Sequence, residues 1–271
     1  MGFLGLGNYN KEGPGVSKEE LAQKKRIVVF FEIYSRKFWN IIKVNLLFLL
    51  FSLPIITIGP AMAGMTYVLR NYAREEHAFV FQDFFDAFKS NFKQSFAAGI
   101  LGMILGGISV YALFFYYYNL SLGGIYYLFF GAALFFCLTI FFAYRYVYLM
   151  IVTLDLKLKY IFKNAFIFAL VAPKQNFSML FGYVGIVGIV FGMLSFIDLA
   201  YSFLIVILLL LLLVPATLSF ISCFCAYPVV KQYCIDPYNE RKKQESDHFD
   251  DDSNDREKIF EDTTGKKVEE K

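Results

Sequence analysis

The chain has 271 residues, of which 58% are hydrophobic and 20% aromatic, and its formal net charge is +3. A soluble domain of this length cannot bury so much apolar surface against itself, which excludes a wholly water-soluble protein. Part of the surface must therefore face lipid. Because helices satisfy their own backbone hydrogen bonds, the sequence predicts an all-α, polytopic helical membrane protein whose first partner is the lipid bilayer.

Long uncharged windows alternate with basic segments along the chain. A helix needs about 20 apolar residues to cross the hydrocarbon core. The windows without any charged residue cover residues 44–69, 94–144, 175–197 and 199–230. The second of them holds 51 residues, so it must contain two spans joined by a turn near 118–124. Four long spans are therefore predicted, at 97–117, 125–146, 177–197 and 203–228, behind a proline-broken hairpin in the first window.

Residues 1–37 are predicted to form an N-terminal cytoplasmic segment with an amphipathic helix. The first 24 residues are polar and glycine-rich, so no cleavable signal peptide is predicted. Ser17 and Glu20 fit a capping box, which favours a helix that begins there. Trp39 then marks the membrane interface. The apolar face of this helix contains Ile27, Phe30, Phe31, Tyr34 and Phe38.

Pro54, Gly59 and Pro60 interrupt the first apolar window. A proline inside a helix removes a hydrogen bond and clashes with the preceding turn, whereas it is tolerated near a helix start. We therefore predict one membrane helix over 38–56 and a shorter returning helix over 60–72. The returning arm has only about ten uncharged residues against the ~20 of a span, which leaves both a full crossing and a re-entrant loop open. These three residues are candidate functional residues, because broken helices form the binding sites of many transporters.

A second amphipathic helix is predicted near residues 81–92. Its aromatic spacing suits a helix in the cytoplasmic headgroup layer, and packing of the same side chains on neighbouring spans explains the stripe equally well. The aromatic face contains Phe81, Phe84, Phe85, Phe88 and Phe92.

A weak internal repeat accompanies this helix. Seven of 28 positions are identical between residues 65–92 and 150–177, at an offset of 85. Such a repeat implies a unit made of a cytoplasmic helix followed by a pair of spans, a duplication seen in many transporters.

Arg145 and Asp198 are the ionisable residues near the spans that suggest a functional role. Charges within a membrane often mark functional sites. A span that starts at 125 reaches the inner interface at Arg145, so we favour a side chain that snorkels to water. Asp198 falls in a short turn between spans, which favours a helix cap or a solvated turn over a substrate ligand.

The basic residues predict the topology. Lys and Arg number eight in residues 1–43, four in 70–93, five in 145–174 and nine in 231–271, and the turns at 119–124 and 198–202 have none. Basic loops tend to stay in the cytoplasm. We therefore expect a multi-pass protein of the cell membrane with both termini cytoplasmic.

The membrane domain is predicted to span residues 38–235, and residues 236–271 are predicted to be a disordered, charged cytoplasmic tail. This tail has 13 acidic and eight basic residues among 36 and few apolar ones. Such a composition cannot build a core.

The sequence offers no recognisable enzyme site. His77 and His248 are its only histidines, and the four cysteines lie in or beside apolar spans. Neither a metal cluster nor a catalytic triad is suggested by this inventory, and a phosphate-binding glycine loop is missing too. We expect no enzymatic activity, no catalytic residue, no cofactor, no metal and no nucleic-acid partner.

Several motifs carry a resemblance to a known family. They are Phe-Glu-Ile-Tyr at 31–34, Ser-Leu-Pro-Ile-Ile-Thr-Ile-Gly-Pro-Ala-Met-Ala-Gly-Met at 52–65 and Arg-Asn-Tyr-Ala-Arg-Glu-Glu-His at 70–77. The opening Gly-Asn-Tyr-Asn-Lys-Glu-Gly-Pro-Gly-Val-Ser-Lys at 7–18 is similar too. The chain resembles, over about residues 1–235, the YesL-like family of bacterial membrane proteins, a domain of unknown function. Members are often encoded beside carbohydrate-uptake and polysaccharide-utilisation systems, so the resemblance implies an association with sugar import.

Two functional hypotheses follow. The first is an accessory subunit or partner of an ABC-type carbohydrate importer, which docks through the helices near 81–92 and 157–168. The alternative is an autonomous small-solute permease that uses the helix breaks at 54–60 as its site. The scarcity of ionisable residues within the spans favours the first, because ion-coupled carriers usually keep such groups at mid-membrane.

Overall fold

The computed structural model describes residues 25–195 and 199–244, and all regular structure in these residues is helical. The predicted all-α class is therefore confirmed. The helices are α1 (Arg26–Ser52), α2 (Ile58–Ala73), α3 (Val80–Ser90), α4 (Phe92–Tyr118), α5 (Gly124–Ile151), α6 (Leu158–Val171), α7 (Pro173–Ser195), α8 (Leu199–Leu212) and α9 (Val214–Val230).

Four helical stretches are long and apolar enough to cross a membrane. They cover Phe92–Tyr118, Gly124–Ile151, Pro173–Gly192 and Val214–Gln244. Large apolar side chains lie exposed along them, and Phe181, for example, is 81% exposed. An apolar surface of this extent is stable only against lipid, so the protein is embedded in a membrane. The predicted turn between the first two stretches is confirmed at Gly123, whose φ of 143° is one that side chains disfavour.

The first apolar window reverses direction where the prolines predicted it would. Helix α1 ends at Ser52, a short 3-10 turn covers Ile55–Thr57, and α2 then begins at Ile58. The hydroxyl of Thr57 donates to the carbonyl oxygens of Phe51 (2.6 Å) and Pro54 (2.7 Å), which fixes the reversal. Pro60 is the third residue of α2, where a missing N–H leaves no helical hydrogen bond unmade.

Helix α2 is the centre of the bundle. It contacts α1, α3, α4, α5 and α9. Its sixteen residues make a helix of about 24 Å, shorter than the ~30 Å of a hydrocarbon core. Because it contacts five other helices, this arm is surrounded by protein rather than lipid. A returning helix too short to cross the hydrocarbon core can therefore be accommodated. Side chains that are 1% exposed or less include Ala61, Ala63, Met65, Val68, Leu69 and Tyr72.

The last predicted span, 203–228, is not one continuous helix. Helix α8 ends at Leu212 and α9 starts at Val214, with Leu213 in a turn between them (φ −138°, ψ −46°). Pro215 explains the break, because it has no N–H and its ring displaces the carbonyl four residues earlier. The sequence prediction placed one continuous span here because the run is hydrophobic, and it did not take Pro215 into account.

The predicted domain boundaries at residues 37/38 and 235/236 do not coincide with helix ends. Helix α1 runs through the first without interruption. After α9 a π-turn covers Lys231–Ile235, and residues 236–244 are still helical. Good helix formers such as Glu240, Arg241 and Lys242 extend the helix into the charged region. The capping box at Ser17 and the rest of the tail lie outside the described residues.

Two short helices connect the long ones in a repeated manner. Helix α3 packs back on α2, and α6 packs back on α5. Each is followed directly by a long helix, α4 or α7. This order of elements agrees with the repeat of a short helix and a span pair that the sequence suggested.

Candidate functional site

The predicted breakers Gly59 and Pro60 lie buried at the start of α2, whereas Pro54 is exposed. A Cβ atom added to Gly59 would overlap the backbone carbonyl of Ser95 in α4, and one added to Gly99 would lie 3.1 Å from the Gly59 Cα. Glycine therefore lets the two backbones touch, as small residues do between membrane helices.

The contact between Gly59 and α4 is a packing contact between two backbones. The atoms next to Gly59 are backbone atoms of Ser95 and Phe96, and the Ser95 hydroxyl donates back to the carbonyl of Asn91 at 2.6 Å. A group engaged in its own helix is not available to a substrate. The structure thus brings Gly59 together with α4, places Pro60 buried beside it in α2, and leaves Pro54 exposed.

Arg70, near the other end of α2, is a buried cation that ties α2 to α5. It is only 7% exposed. Its Nη1 donates to the Val152 carbonyl (2.5 Å) and to the Thr153 hydroxyl (3.2 Å), while Nε and Nη2 donate to the side-chain oxygen of Asn71. The guanidinium also lies 4.5 Å from the centre of the Tyr67 ring.

The electrostatics of Arg70 are satisfied without a carboxylate. Among the described residues no acidic group lies within 4 Å of it. A buried charge is stable only when it is well bonded, and here the carbonyl end of α5 supplies both hydrogen-bond acceptors and the negative end of a helix dipole. Arg70 is therefore held in one geometry, and its arrangement fits a structural tie between helices.

Asn45 of α1 closes the break between α8 and α9. Its Nδ2 donates to the Leu211 carbonyl at 2.6 Å, and its Oδ1 accepts from the Ala216 N–H at 2.8 Å. The carbonyl of Leu211 is the one that Pro215 cannot serve. Asn45 is fully buried, so this single amide replaces the hydrogen bonds that the break leaves open.

Arg145 lies half-buried between α5 and α7, away from the helix breaks. Its guanidinium is 5.1 Å from the centre of the Phe141 ring and 5.5 Å from that of Tyr183. The hydroxyls of Tyr183 and Ser222 are hydrogen-bonded to each other, which joins α7 to α9. Such cation–π contacts stabilise a guanidinium by about 0.5–2 kcal/mol. That Arg145 reaches the interface stays a prediction, and Asp198 lies outside the described residues.

A third polar tie connects α5, α6 and α7. The Tyr146 hydroxyl donates to the side-chain oxygen of Asn176 (3.0 Å). The amide nitrogen of Asn176 donates in turn to the carbonyls of Phe168 (3.3 Å) and Ala169 (2.8 Å) at the end of α6. Tyr146 and Asn176 are both buried, so this network fixes the angle at which α6 leaves the long helices.

A surface groove of about 690 Å³, here called the polar groove, lies between the α3–α4 junction and the loop from α5 to α6. The amide of Gln94 crosses it and donates to the Leu156 carbonyl at 3.1 Å. Residues with hydrogen-bonding or charged side chains along the groove are Lys89, Asn91, Lys93, Thr153 and Asp155. These side chains can recognise a polar or charged segment of another molecule.

Part of the aromatic face of helix α3 packs on neighbouring helices, and part of it is exposed. Phe84 is fully buried, and the Phe51 ring lies 5.7 Å from Phe84 and 5.2 Å from Phe88. Phe81 is 65% exposed. The middle of the helix thus packs on α1 and α2, and its first turn remains available to lipid or to a partner.

Sequence reasoning missed the polar ties at Asn45 and Arg70. Asn45 is the one amide within the uncharged window 44–69, a signal that could have been noticed. Arg70 was counted with the basic loop that follows the window, because its burial depends on the end of α5, 82 residues further along the chain. Position in the sequence alone does not separate a buried cation from a loop cation.

Comparison with known proteins supports the family suggested by the motifs. Residues 41–120 match the model of a family described as "Protein of unknown function, DUF624". This is the YesL-like family, so the resemblance is confirmed over these residues. The comparisons with curated proteins and with solved structures gave no match.

Proposed function

Since residues 41–120 match the YesL-like family model, we propose that this chain is an accessory membrane subunit that acts through a partner, the membrane part of an ABC-type carbohydrate importer. It has no enzymatic activity of its own in this proposal. It resides in the bacterial cell membrane with both termini and the short helices α3 and α6 on the cytoplasmic side.

The observation that carries the proposal is the packing of α2. A solute carrier needs a cavity near the middle of the membrane. Here the middle of the described bundle holds a helix whose side chains are buried against five neighbours. The charged group of α2 is engaged too, since Arg70 donates to the side-chain oxygen of Asn71 and to the carbonyl of Val152 at the end of α5. A bundle whose middle is filled in this way fits a scaffold protein better than a protein that carries a solute across the membrane.

The docking surface in this proposal is the polar groove. It lies between the α3–α4 junction and the loop that leads into α6, so it adjoins both helices that the sequence suggested for docking. Lys89 and Lys93 on one wall and Asp155 on the other are exposed, so they can pair with charges of both signs on a partner segment. Charges at the rim of an interface mainly set orientation and association rate.

Co-purification tests this function. The variant Lys89→Glu/Lys93→Glu should lower recovery of importer subunits in mild detergent at least fivefold, while its thermal unfolding stays that of the natural protein, because exposed charges contribute little to stability. Lys242→Glu/Lys243→Glu, an equal charge change outside the groove, is the matched control and should recover the subunits normally. Equal recovery with all three proteins would contradict the proposed docking surface.

The topology can be tested separately. In a cysteine-free background, a single cysteine at Ser121 should react with a membrane-impermeant thiol reagent added to intact cells. A cysteine at Gln244 should react only after the membrane is opened. The opposite pattern would overturn the cytoplasmic placement of the termini.

A second function is favoured by the two broken helices, at 53–57 and at Leu213. Helix breaks of this kind line the sites of secondary transporters, so a permease is the alternative. Purified protein in liposomes should show no sugar flux above empty liposomes if the first proposal holds. Flux by this protein alone would establish the permease instead.

A further inference from the structure

A second groove, of about 680 Å³, runs between α1 and the segment that leads into α3. We call it the α1–α3 groove. Asn40, Lys43, Leu46 and Leu50 of α1 form one wall. His77 and Phe81 are on the other wall.

The two walls run side by side in the same direction. At one end Arg36 pairs with Glu75 at 3.3 Å, and beyond the other end the ring of Phe51 contacts Phe84. His77 therefore lies towards the Lys43 end of the groove, and Phe81 lies towards the Leu50 end. The groove is polar at one end and apolar at the other.

The polar end carries the positive charge of Lys43. Lys43 and His77 contribute to the lining, and none of the lining residues is acidic. Each neighbouring carboxylate already has a partner, since Glu75 pairs with Arg36, Glu76 pairs with Arg74 and Asp83 accepts from the Phe79 N–H. An anion placed here would meet an ammonium group and an imidazole.

The apolar end of the groove exposes large apolar side chains, which favours contact with an apolar partner. Leu46 is 46% exposed, Leu50 59% and Phe81 65%. Trp39 shares a helix face with Lys43, Leu46 and Leu50, because these positions are spaced by three and four residues. It is 73% exposed beside the polar end, which is where tryptophan sits at a membrane interface.

From this arrangement we propose that the α1–α3 groove binds one anionic phospholipid. The phosphate group lies between Lys43 and His77, and an acyl chain follows Leu46, Leu50 and Phe81. A phospholipid fits because it joins one anionic head to an apolar chain in the order that the groove presents. Basic pockets of this kind between membrane helices are a known mode of lipid-headgroup recognition.

Trp39 provides the test, because it is the only tryptophan of the chain. The full-length protein is reconstituted in phosphatidylcholine vesicles with a small fixed fraction of dibrominated phosphatidylglycerol, or of dibrominated phosphatidylcholine. Bromine quenches tryptophan fluorescence at short range. We expect the anionic lipid to quench Trp39 at least twofold more than phosphatidylcholine at the same fraction.

The variant Lys43→Gln/His77→Gln should bring the two lipids to equal quenching. Lys89→Gln/Lys93→Gln in the polar groove is the matched control and should keep the twofold preference. Unchanged thermal unfolding of both variants shows that the fold is retained.

Three results would overturn the proposal. Equal quenching by both lipids in the natural protein would show that no anionic lipid is selected. Loss of the preference in the control variant would show that general charge, rather than the groove, attracts the lipid. Protection of Trp39 from both brominated lipids would show that a protein segment covers the groove instead.

Discussion

Glycines in the half of the molecule around α2 lie against neighbouring elements, whereas glycines in the outer half of the long helices have open space around them. In the first half a Cβ atom added to a glycine would meet a neighbouring element within 3.1 Å, at Gly59, Gly64, Gly99 and Gly102. In the outer half nothing lies within 4 Å of the added atom at Gly106, Gly107, Gly131, Gly185, Gly188 and Gly192. Gly102 and Gly106, like Gly188 and Gly192, have the four-residue spacing by which small residues let membrane helices approach, but of these four only Gly102 meets a neighbour within the chain.

This difference indicates that the contacts of the half around α2 determine the fold. Lipid is as apolar as a leucine side chain, so helices in a membrane associate through close packing and polar ties rather than through the hydrophobic effect. The half around α2 has both, namely touching backbones and the buried side chains of Arg70 and Asn45. The outer half of the α4–α5 hairpin instead exposes its side chains, and Tyr118 is 76% exposed. Substitutions should therefore have strong effects in the first half and weak effects in the second.

The largest effect is expected at Gly59. In the variant Gly59→Val the new side chain meets the Ser95 carbonyl of α4, and backbone cannot move aside as a flexible side chain can. Overpacking of this kind costs about 3 kcal/mol or more of stability. Unfolding in a detergent titration should show little or no folded protein. Gly107→Val, at an open position of α4, is the control and should unfold like the natural protein.

The next largest effect is expected at Arg70. The variant Arg70→Met keeps much of the length of the side chain but leaves the Val152 carbonyl and the Asn71 side chain without their donor. Unpaired buried groups destabilise by about 1–3 kcal/mol, so the midpoint of thermal unfolding in detergent should fall clearly. Arg74→Met is the control, because Arg74 lies one turn further along and has a partly exposed ion pair with Glu76. An equal loss in both variants would refute a special role for Arg70.

A smaller loss is expected at Asn45. In Asn45→Leu the Leu211 carbonyl and the Ala216 N–H lose their partner at the helix break, which costs about 1–2 kcal/mol. The same unfolding measurement checks this value. Asn119→Leu is the control, because the Asn119 amide bonds to its own helix near an exposed turn. If Asn45→Leu were as stable as the control, the break would not depend on this amide.

The sequence predicted the features that depend on local signals. The Pro54 break, the turn at Gly123 and the long apolar helices are determined within windows of about 20 residues, where proline, glycine and charge spacing are informative. The features that were missed depend on distant partners. Asn45 and Leu211 are 166 positions apart, and no periodicity relates them. The break at Leu213 depends on both a local signal and a distant partner. Pro215 is present in the local sequence, but the hydrogen bonds by which α1 compensates for the break cannot be read from it.

The candidate site shows the same limit. Gly59 and Pro60 were chosen because breakers often form sites, and the structure makes Gly59 a backbone contact between α2 and α4. The distinction between a packing glycine and a binding glycine rests on what lies opposite, which one sequence does not contain. Arg145 was singled out as an ionisable residue near a span, but its aromatic neighbour Tyr183 lies on a different helix and could not be predicted.

The smallest effect is expected at Gly188 on the outer part of α7. Alanine favours a helix over glycine by about 0.5–1 kcal/mol, and a Cβ atom at this position meets nothing within 4 Å. Gly188→Ala should therefore unfold at the natural temperature or slightly above it. Gly182→Ala on the same helix is the comparison, because its Cβ atom would approach the Ile221 side chain to 3.1 Å and should not give the same gain. A clear destabilisation by Gly188→Ala would mean that the outer face of α7 packs against another protein chain, since lipid chains adjust to one added methyl group.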